Sequence, residues 1–419
     1  MTVTAPPSGR SRLLSFFQGS GGLAIAIVVM NVATYGFQIA AARRLGPEQY
    51  GGVASLMALL LVIGVVQLGL QATAARRIAA APDHIASIER TIKTVSLRGS
   101  LVVGAIMLVA SPLVWHLLQL DSIVPALLVA VVAVPLTMIG GQAGMLQGER
   151  RWLPLSLLYL GLGIPRLLVG TVCILIRPSE TSAMVGVTLA AFVPVVVGWW
   201  ALRHPRPDAS PAGAQEHSLR NVVNETVRSS TALLAFFVLS NLDIVIARNT
   251  LSHHQAGLYA GGLIMTKAVL FLPQFVVVVA FPSMSTEGSQ RSALMRSLVA
   301  VGIVGVASTL GAWLLSGLAM IFVGGASYSG VQHRLWLFAV VGTLLAMLQM
   351  LVYGVLARQH RGASLLVWVA AVALTLVGIT MGSLTHLVLV VVVVDAILTA
   401  VLLVLSLRHL QDETPAAVA

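Results

Sequence analysis

The sequence predicts an all-α polytopic membrane protein of about twelve transmembrane helices, arranged in two lobes of six helices. Three observations support this prediction. Of the 419 residues, 58% are hydrophobic and only 9% are charged, whereas a soluble domain has roughly 25% charged residues. Apolar runs long enough to cross a bilayer recur along the chain. A polar, proline-rich segment near the midpoint divides these runs into six and six.

The predicted spans each hold about 20 mostly apolar residues, which cross a hydrocarbon core of roughly 30 Å as a helix. The first span is longer than the apolar region of a signal peptide, so we expect it to be retained. The approximate bounds of the twelve spans are 21–42, 51–72, 94–118, 123–147, 153–176, 183–202, 229–248, 256–282, 297–322, 335–357, 363–384 and 386–407.

Basic residues are distributed unevenly between the two sides of these spans. Eighteen lie on one side and five on the other, while Arg166 and Lys267 lie inside spans. Because cytoplasmic loops hold the excess of Lys and Arg, we expect both termini in the cytoplasm. The net charge of +11 then reflects topology and contact with membrane lipids, and no nucleic acid partner is expected. Two lysines beside 23 arginines are typical of a GC-rich bacterial genome, so we expect the bacterial cytoplasmic membrane.

The midpoint segment carries Pro205, Pro207 and Pro211 and is predicted to be a cytoplasmic linker over 203–228. It separates an N-terminal lobe, 1–202, from a C-terminal lobe, 229–419. A weak repeat supports the division, because a shift of 206 residues aligns Ala41 with Ala247, Leu45 with Leu251, Gln49 with Gln255, Gly51 with Gly257 and Ala54 with Ala260. Parallel halves of this kind predict a pseudo-two-fold axis along the membrane normal and a cleft between the lobes, as in transporters.

Enzymatic chemistry is not expected from this chain. The external loops are short, and Asp121 and Glu180 stand alone in theirs. Cys173 is the single cysteine, so no intrachain disulfide can form. The adjacent pair His253 and His254 has no carboxylate or thiol nearby to complete a metal site, and we expect no metal and no cofactor.

Polar side chains recur at helical spacing in the first two spans. Asn31, Thr34, Tyr35 and Gln38 share one face of the first span, and Gln67 and Gln71 share a face of the second. Because polar groups facing lipid are costly, these faces are expected to line a cavity or to form hydrogen bonds between helices. The sequence leaves both interpretations open.

Two cations lie deep in the membrane. Arg166 is about fourteen residues into the fifth span and Lys267 about eleven into the eighth, where a charge costs at least ~2.5 kcal/mol. Two acids in spans, Asp243 and Asp395, would compensate them as buried ion pairs, or an anionic substrate would. The acids are alternatively sites of proton coupling. Residues on one face of the eighth span with Lys267 are Phe271 and Gln274.

Several loop motifs resemble those of the bacterial polysaccharide-biosynthesis flippases, a family of the multidrug/oligosaccharidyl-lipid/polysaccharide exporter superfamily. The run Ala42–Gly51 is similar to the family's RxLGPxxYG signature after the first helix, and Leu146–Trp152 is similar to its LQGxRRF loop after helix 4. Second-half landmarks that also resemble the family are Asn241-Leu242-Asp243, Gly257-Leu258-Tyr259, Phe281-Pro282-Ser283, and Phe322-Val323-Gly324 with Tyr328.

The resemblance implies two six-helix lobes around a V-shaped cavity. It implies that the protein translocates a polyprenyl diphosphate-linked sugar or oligosaccharide to the outer leaflet for cell-surface polysaccharide synthesis. This substrate class suits the residues, since Arg166 and Lys267 would hold a diphosphate. Sugar hydroxyls would bond to the amides and hydroxyls of the first two helices. In this interpretation the substrate-binding candidates are Asn31, Tyr35, Gln38, Gln67, Gln71, Arg166, Lys267 and Gln274.

Two alternatives remain at this stage. A cation-coupled multidrug exporter of the same superfamily is the first, although that branch usually has an acid in its first helix, where this chain has Asn31 and Gln38. Twelve helices, instead of fourteen, make the lipid II flippase branch less similar. The second alternative is a non-transporting scaffold with glycan-assembly enzymes as partners, and such a scaffold would tolerate loss of Arg166 and Lys267.

Overall fold

The computed structural model describes residues 20–203, 219–280, 290–357 and 361–412. Within these ranges nine helices are long and apolar enough to cross a membrane, and Ser364–Gly378 is a shorter apolar helix. The first of the nine, Gly21–Ala80, is long enough to contain two spans. The prediction of an all-α membrane protein is therefore confirmed.

The N-terminal half begins with the helix Ser20–Ala80, which is interrupted at Gly46. We call its two parts α1 (20–45) and α2 (47–80). Gly46 has φ +71°, a conformation that side-chain-bearing residues rarely adopt, and Pro47 follows it. The other helices of this half are α3 (Ile85–Leu117), α4 (Val124–Gly148), α5 (Trp152–Ile176) and α6 (Glu180–Ala201), and a short 3₁₀ helix, Pro82–His84, precedes α3.

The C-terminal half repeats this order with one break. Its helices are α7 (Leu219–Thr250), α8 (His253–Ala280), α9 (Gln290–Leu314), the short α10 (Ser316–Val323), a 3₁₀ segment Ala326–Arg334, α11 (Leu335–Ala357), α12 (Arg361–Gly378) and α13 (Leu384–Asp412). The span predicted over 297–322 is thus divided at Leu315. Two glycines with positive φ, Gly324 and Gly325, turn the chain back toward α11.

Several helices extend beyond their predicted spans. The helix α7 begins at Leu219, so residues 219–228, expected in the linker, are helical. The reason is polar packing, because Glu225 accepts hydrogen bonds from Arg76 and Arg77 at the end of α2. Hydropathy marks only the part of a helix that lies in lipid. Of the expected linker, 204–218 lies outside the described residues.

Small residues allow close packing inside each lobe. On α4, Gly140, Gly144 and Gly148 lie one turn apart against the backbone and side chains of α2, a stripe that brings membrane helices together. In the C-terminal half, Gly262 of α8 packs on the ring of Phe338 in α11. These contacts make α1–α6 one lobe and α7–α13 the other, so the expected two-lobe architecture is confirmed.

The lobes meet through α1 and α2 on one side and α7 and α8 on the other. We call the end that the charge distribution predicts to face away from the cytoplasm the outer end, and the opposite end the inner end. At the outer end a Cβ on Gly51 would lie 3.3 Å from the Cα of Gly257. These two glycines are partners in the 206-residue repeat, so the pseudo-two-fold axis passes close to their contact.

A second pair of outer contacts also follows the repeat. Asn249 at the end of α7 donates to the carbonyl oxygen of Leu117 in the N-terminal lobe. Arg43, which is 206 positions earlier, donates to the carbonyl oxygen of Ile321 in the C-terminal lobe. Each lobe therefore holds the other through the end of its first helix.

Candidate functional site

A cleft lies between the lobes on the inner side of the Gly51–Gly257 contact. We call it the interlobe cleft. It has an empty volume of about 340 Å³, part of it open to solvent. Its wall includes residues of both lobes, namely Gln38, Tyr50, Ala54, Met57, Ala58 and Leu61 from α1 and α2, and Asn241, Ala260, Leu263, Ile264 and Lys267 from α7 and α8. The repeat partners Ala54 and Ala260 thus face the same space.

The ammonium group of Lys267 is the charged group in this wall. Its Nζ donates to the carbonyl oxygen of Ser240 at 3.0 Å and to Oδ1 of Asn241 at 2.9 Å. An ammonium group has three donors, and the described residues accept from two of them.

Two buried acids lie behind Lys267. Asp243 is 4% exposed and accepts a hydrogen bond from the hydroxyl of Tyr259 at 2.9 Å. Asp395 is 1% exposed, and neither of its carboxylate oxygens has a hydrogen-bond partner in the part of the chain that the structure describes. Both acids interact electrostatically with Lys267, although neither forms an ion pair with it within 4 Å. One cation and two acids therefore share the interior of the C-terminal lobe.

Asp243 forms no ion pair with Arg248 in the same helix. The guanidinium of Arg248 instead reaches into the N-terminal lobe. Among the described residues, His, Cys, Asp and Glu form no group of three or more that could hold a metal ion.

Two members of the polar face of α1 lie at the boundary between the lobes, and one of them contacts the C-terminal lobe. Gln38 accepts a hydrogen bond at Oε1 from the hydroxyl of Tyr50 at 2.8 Å, and both side chains line the interlobe cleft. The hydroxyl of Tyr35 lies 3.4 Å from the carbonyl oxygen of Ile264, and its ring contacts Phe271 edge to face. Asn31 lies on α1 and is half-buried.

The glutamines of α2 lie away from the interlobe cleft. Gln71 donates to Oε1 of Gln147 at 2.8 Å and to the hydroxyl of Tyr159 at 2.9 Å, which links α2, α4 and α5 inside the N-terminal lobe. The backbone of Gln67 packs against Gly140 of α4, and its side chain is 9% exposed. For Gln274 the structure describes the backbone in α8 but not the side chain.

Arg166 faces the interior of the N-terminal lobe. At 100° per residue it lies on the opposite side of α5 from the lipid-exposed Ile164, Leu168 and Leu175. It shares a stripe with Tyr159, seven residues earlier. Its Nε is buried and has no hydrogen-bond partner, and no acid among the described residues compensates its charge. Arg166 and Lys267 thus differ, since Lys267 has two acids nearby and Arg166 has none among the residues that the structure describes.

Comparison with known protein families assigns the chain to one of them. The profile of the family described as "Polysaccharide biosynthesis protein" matches residues 16–287, which is more than half of the sequence. The chain belongs to the polysaccharide biosynthesis protein family. The match covers the whole N-terminal lobe and continues through α7 and α8, so it includes all helices that form the interlobe cleft. No curated protein sequence matched significantly.

Solved structures show the fold of this polysaccharide biosynthesis protein. It is similar to the inward-facing conformation of a multidrug resistance MATE family transporter of the MOP superfamily, with a TM-score of 0.72, 14% identity and coverage of 94% of this chain and 100% of that chain. The outward-facing conformation of such a transporter gives a TM-score of 0.56, 13% identity and coverage of 94% and 97%. A MOP superfamily transporter from Pyrococcus furiosus Vc1 gives a TM-score of 0.62, 13% identity and coverage of 93% of this chain and 97% of that chain.

The polysaccharide biosynthesis protein thus has the MATE fold, and its lobe arrangement is more similar to the inward-facing structure. This agrees with the contacts between the lobes at the outer end. Sequence reasoning had not selected Tyr50 and Asn241 as site residues, although both lie in motifs that resembled the family. The sequence could have indicated them by position, because each lies within one or two helical turns of a residue that aligns in the 206-residue repeat.

Proposed function

We propose that this protein is a flippase that moves a polyprenyl diphosphate-linked sugar or oligosaccharide from the inner to the outer leaflet of the bacterial cytoplasmic membrane. The observation that carries the proposal is the position of Lys267. Its ammonium lies in the wall of a cleft between two lobes, in a protein of the polysaccharide biosynthesis family. A cation at that place suits an anionic headgroup.

The neighbours of Lys267 suit the sugar part of such a substrate. Amide and phenol groups of Gln38, Tyr50 and Asn241 offer donors and acceptors on the same wall. Sugar hydroxyls are both donors and acceptors, and a wall with mixed polar groups can satisfy them. The apolar members of the wall, such as Met57 and Leu263, suit the lipid end of the headgroup or the apolar faces of sugar rings.

Arg166 is proposed as a second contact to the diphosphate. Its guanidinium lies in the lobe interior with no described acid to compensate it, and an uncompensated cation at this depth is costly. A protein keeps such a group when a ligand or a functional state compensates it. A fork of guanidinium donors matches phosphate oxygens, so an anionic ligand would supply the compensation.

The two acids behind Lys267 suggest how transport would be driven. Without substrate the ammonium balances one of the two carboxylates, and the other is already in excess. When a diphosphate takes over the ammonium, neither acid has a cation, and both are expected to bind a proton or another cation. We therefore propose Asp243 and Asp395 as the coupling acids. This pair is also what a cation-coupled multidrug exporter would use, which is the second candidate function.

The experiment that tests the proposal is depletion of the protein in its host, followed by mass spectrometry of extracted polyprenyl-linked glycans. A flippase predicts that one lipid-linked glycan accumulates, and that an impermeant reagent finds it on the inner leaflet. An unchanged glycan lipid profile together with increased sensitivity to cationic drugs would support the exporter. If the glycan accumulates on depletion, and expression of the Arg166→Ala or Lys267→Met variant still relieves the accumulation, the result would support the scaffold.

A further inference from the structure

The outer end of the lobe interface carries a group of charges that the proposed transport function does not use. Arg248 of α7 is 4% exposed, although arginine is almost never fully buried without a partner. Its Nε donates to the carbonyl oxygen of Leu118 at 2.8 Å, and its Nη2 donates to that of Gln119. Both carbonyls belong to the loop between α3 and α4, so the contact crosses from one lobe to the other.

A buried acid lies on the other side of the same contact. Glu180, the first residue of α6, is 2% exposed, and its Oε2 accepts a hydrogen bond from the backbone nitrogen of Asp121 at 3.3 Å. Its Oε1 is buried without a partner, and so is Nη1 of Arg248. The two side chains interact electrostatically across the lobe interface, and Asp121 adds to the attraction on Arg248.

Two consecutive glycines leave room for these charges at the start of α2. A Cβ on Gly51 would lie 3.1 Å from Nη1 of Arg248, and a Cβ on Gly52 would overlap the carboxylate of Glu180. The start of α2 therefore has no side chain between the acid and the base. Nη1 of Arg248 and Oε1 of Glu180 each lie beside one of these glycines, and neither has a hydrogen-bond partner among the described residues. The two side chains belong to different lobes and form no ion pair within 4 Å.

We infer that Arg248 and Glu180, together with the carbonyls of Leu118 and Gln119, form a charge latch that holds the outer end of the transporter closed. In this structure Arg248 is the only described side chain of α7 that donates two hydrogen bonds to the other lobe. When the lobes separate at the outer end, Arg248 must leave the α3–α4 loop and Glu180 must lose its cation. Opening thus requires hydration of both charged groups. The latch therefore sets the equilibrium between the inward-facing and outward-facing conformations. This inference rests on the proposed function, because opening of the outer end is the step that would release the substrate to the outer leaflet.

The test is accessibility of the interlobe cleft from the outer side. Cys173 is the single cysteine, so a Cys173→Ser background accepts one reporter, Ala58→Cys. Ala58 lines the cleft, is 7% exposed and lies about 10 Å inward of Gly51 along α2. Right-side-out membrane vesicles are treated with an impermeant thiol reagent, and the rate of reporter labelling is measured in the parent and in latch variants.

The latch predicts that Arg248→Ala labels about tenfold faster than the parent, which corresponds to about 1.4 kcal/mol. Glu180→Gln keeps the shape but not the charge, and about threefold faster labelling is expected. Arg334→Ala is the matched control, because Arg334 is an exposed arginine at the same end that bonds to Gly330 of its own lobe, and it is expected to label at the parental rate.

If Arg248→Ala does not accumulate in the membrane, Arg248→Lys and Glu180→Gln carry the test, since each retains a side chain of similar size. Parental labelling rates in both would overturn the latch. Because the assay contains no glycan substrate, its result is separate from that of the depletion experiment. Faster labelling of the latch variants without glycan accumulation on depletion would contradict the flippase. Glycan accumulation with parental labelling rates would contradict only the latch.

Discussion

Gly51 and Gly257 pack against each other where the two lobes meet, with the Cα of Gly257 3.3 Å from the site of a Cβ on Gly51. They occupy equivalent places in the two halves of the chain, 206 positions apart. On the same surface a Cβ on Gly257 would overlap the carbonyl oxygen of Pro47. The closed outer end therefore depends on two backbones that approach without side chains between them.

Substitution of Gly257 by alanine tests this contact. The added methyl group has no room beside Pro47, so the closed arrangement should lose about 1–3 kcal/mol relative to an open one. We expect the Ala58→Cys reporter to label at least fivefold faster from the outer side. Gly64→Ala in α2 is the control, because nothing lies within 4 Å of its Cβ position. Equal labelling in both variants would show that the glycine contact is not part of the seal.

Arg166 is predicted to serve function at the expense of stability. Arg166→Ala should reduce export of the lipid-linked glycan at least tenfold, because a charge-assisted contact to the diphosphate is lost. Its melting temperature in detergent should not fall, since an uncompensated buried cation is removed. Arg166→Lys should retain part of the export. Arg177→Ala, an exposed arginine just after α5, should export normally. Normal export by Arg166→Ala would exclude Arg166 from substrate contact.

Lys267 is expected to behave in the opposite way. Lys267→Met leaves Asp243 and Asp395 without their cation, and loss of one member of a buried charge group typically costs ~3–5 kcal/mol. The double variant Lys267→Met/Asp395→Asn should recover at least half of that loss while export stays absent. Thermal unfolding and glycan export in the same membranes give the two readouts.

The chain offers a matched control for Lys267 in its other lysine. Lys93 is 43% exposed and pairs at i,i+4 with Glu89, whose side chain is 5% exposed, so Lys93→Met should cost less stability than Lys267→Met, because the ammonium of Lys93 reaches solvent. If Lys267→Met is no less stable than Lys93→Met, the electrostatic coupling of Lys267 to the two acids has no structural role. If the double variant regains export as well as stability, Lys267 does not contact the substrate.

Charged side chains join the lobes at the inner end. Glu225 is 25% exposed and pairs at 2.9 Å with Arg76, which is 60% exposed, and at 2.8 Å with Arg77, which is 15% exposed. Exposed pairs contribute about 0–1 kcal/mol and are screened by salt. Glu225→Gln should therefore speed labelling of the Ala58→Cys reporter in inside-out vesicles by about threefold at low salt. The difference should disappear in about 1 M salt, and a difference that persists would show that screening does not govern this contact.

Much of the fold could be predicted from the sequence because lipid imposes strict rules. Hydropathy located the spans, and the 206-residue repeat pointed to the Gly51–Gly257 region, where the structure places the contact between the lobes. Helix ends were less predictable. The extension of α7 back to Leu219 depends on Glu225 meeting Arg76 and Arg77, a contact between distant parts of the chain that no local pattern reveals.

The candidate site was less predictable than the fold. Polar periodicity placed the polar residues of α1 on one face, but it could not tell that Gln38 lines the cleft while Gln71 bonds inside the lobe to Gln147 and Tyr159. Helical periodicity shows the direction of a side chain around the helix axis, but it does not show which residue the side chain contacts. Arg248 shows the same limit, because its position at the end of a span suggested a topology signal, whereas its guanidinium is buried against the other lobe.

The central claim is that this protein moves a lipid-linked glycan between leaflets, and reconstitution tests it most directly. Purified protein is placed in liposomes that contain a fluorescent polyprenyl diphosphate-linked sugar, and an impermeant reagent measures the fraction of the lipid in each leaflet over time. We predict rapid exchange between leaflets with the parent and at least tenfold slower exchange with the Arg166→Ala/Lys267→Met double variant. Exchange no faster than in empty liposomes, from protein that is folded and inserted, would contradict the flippase.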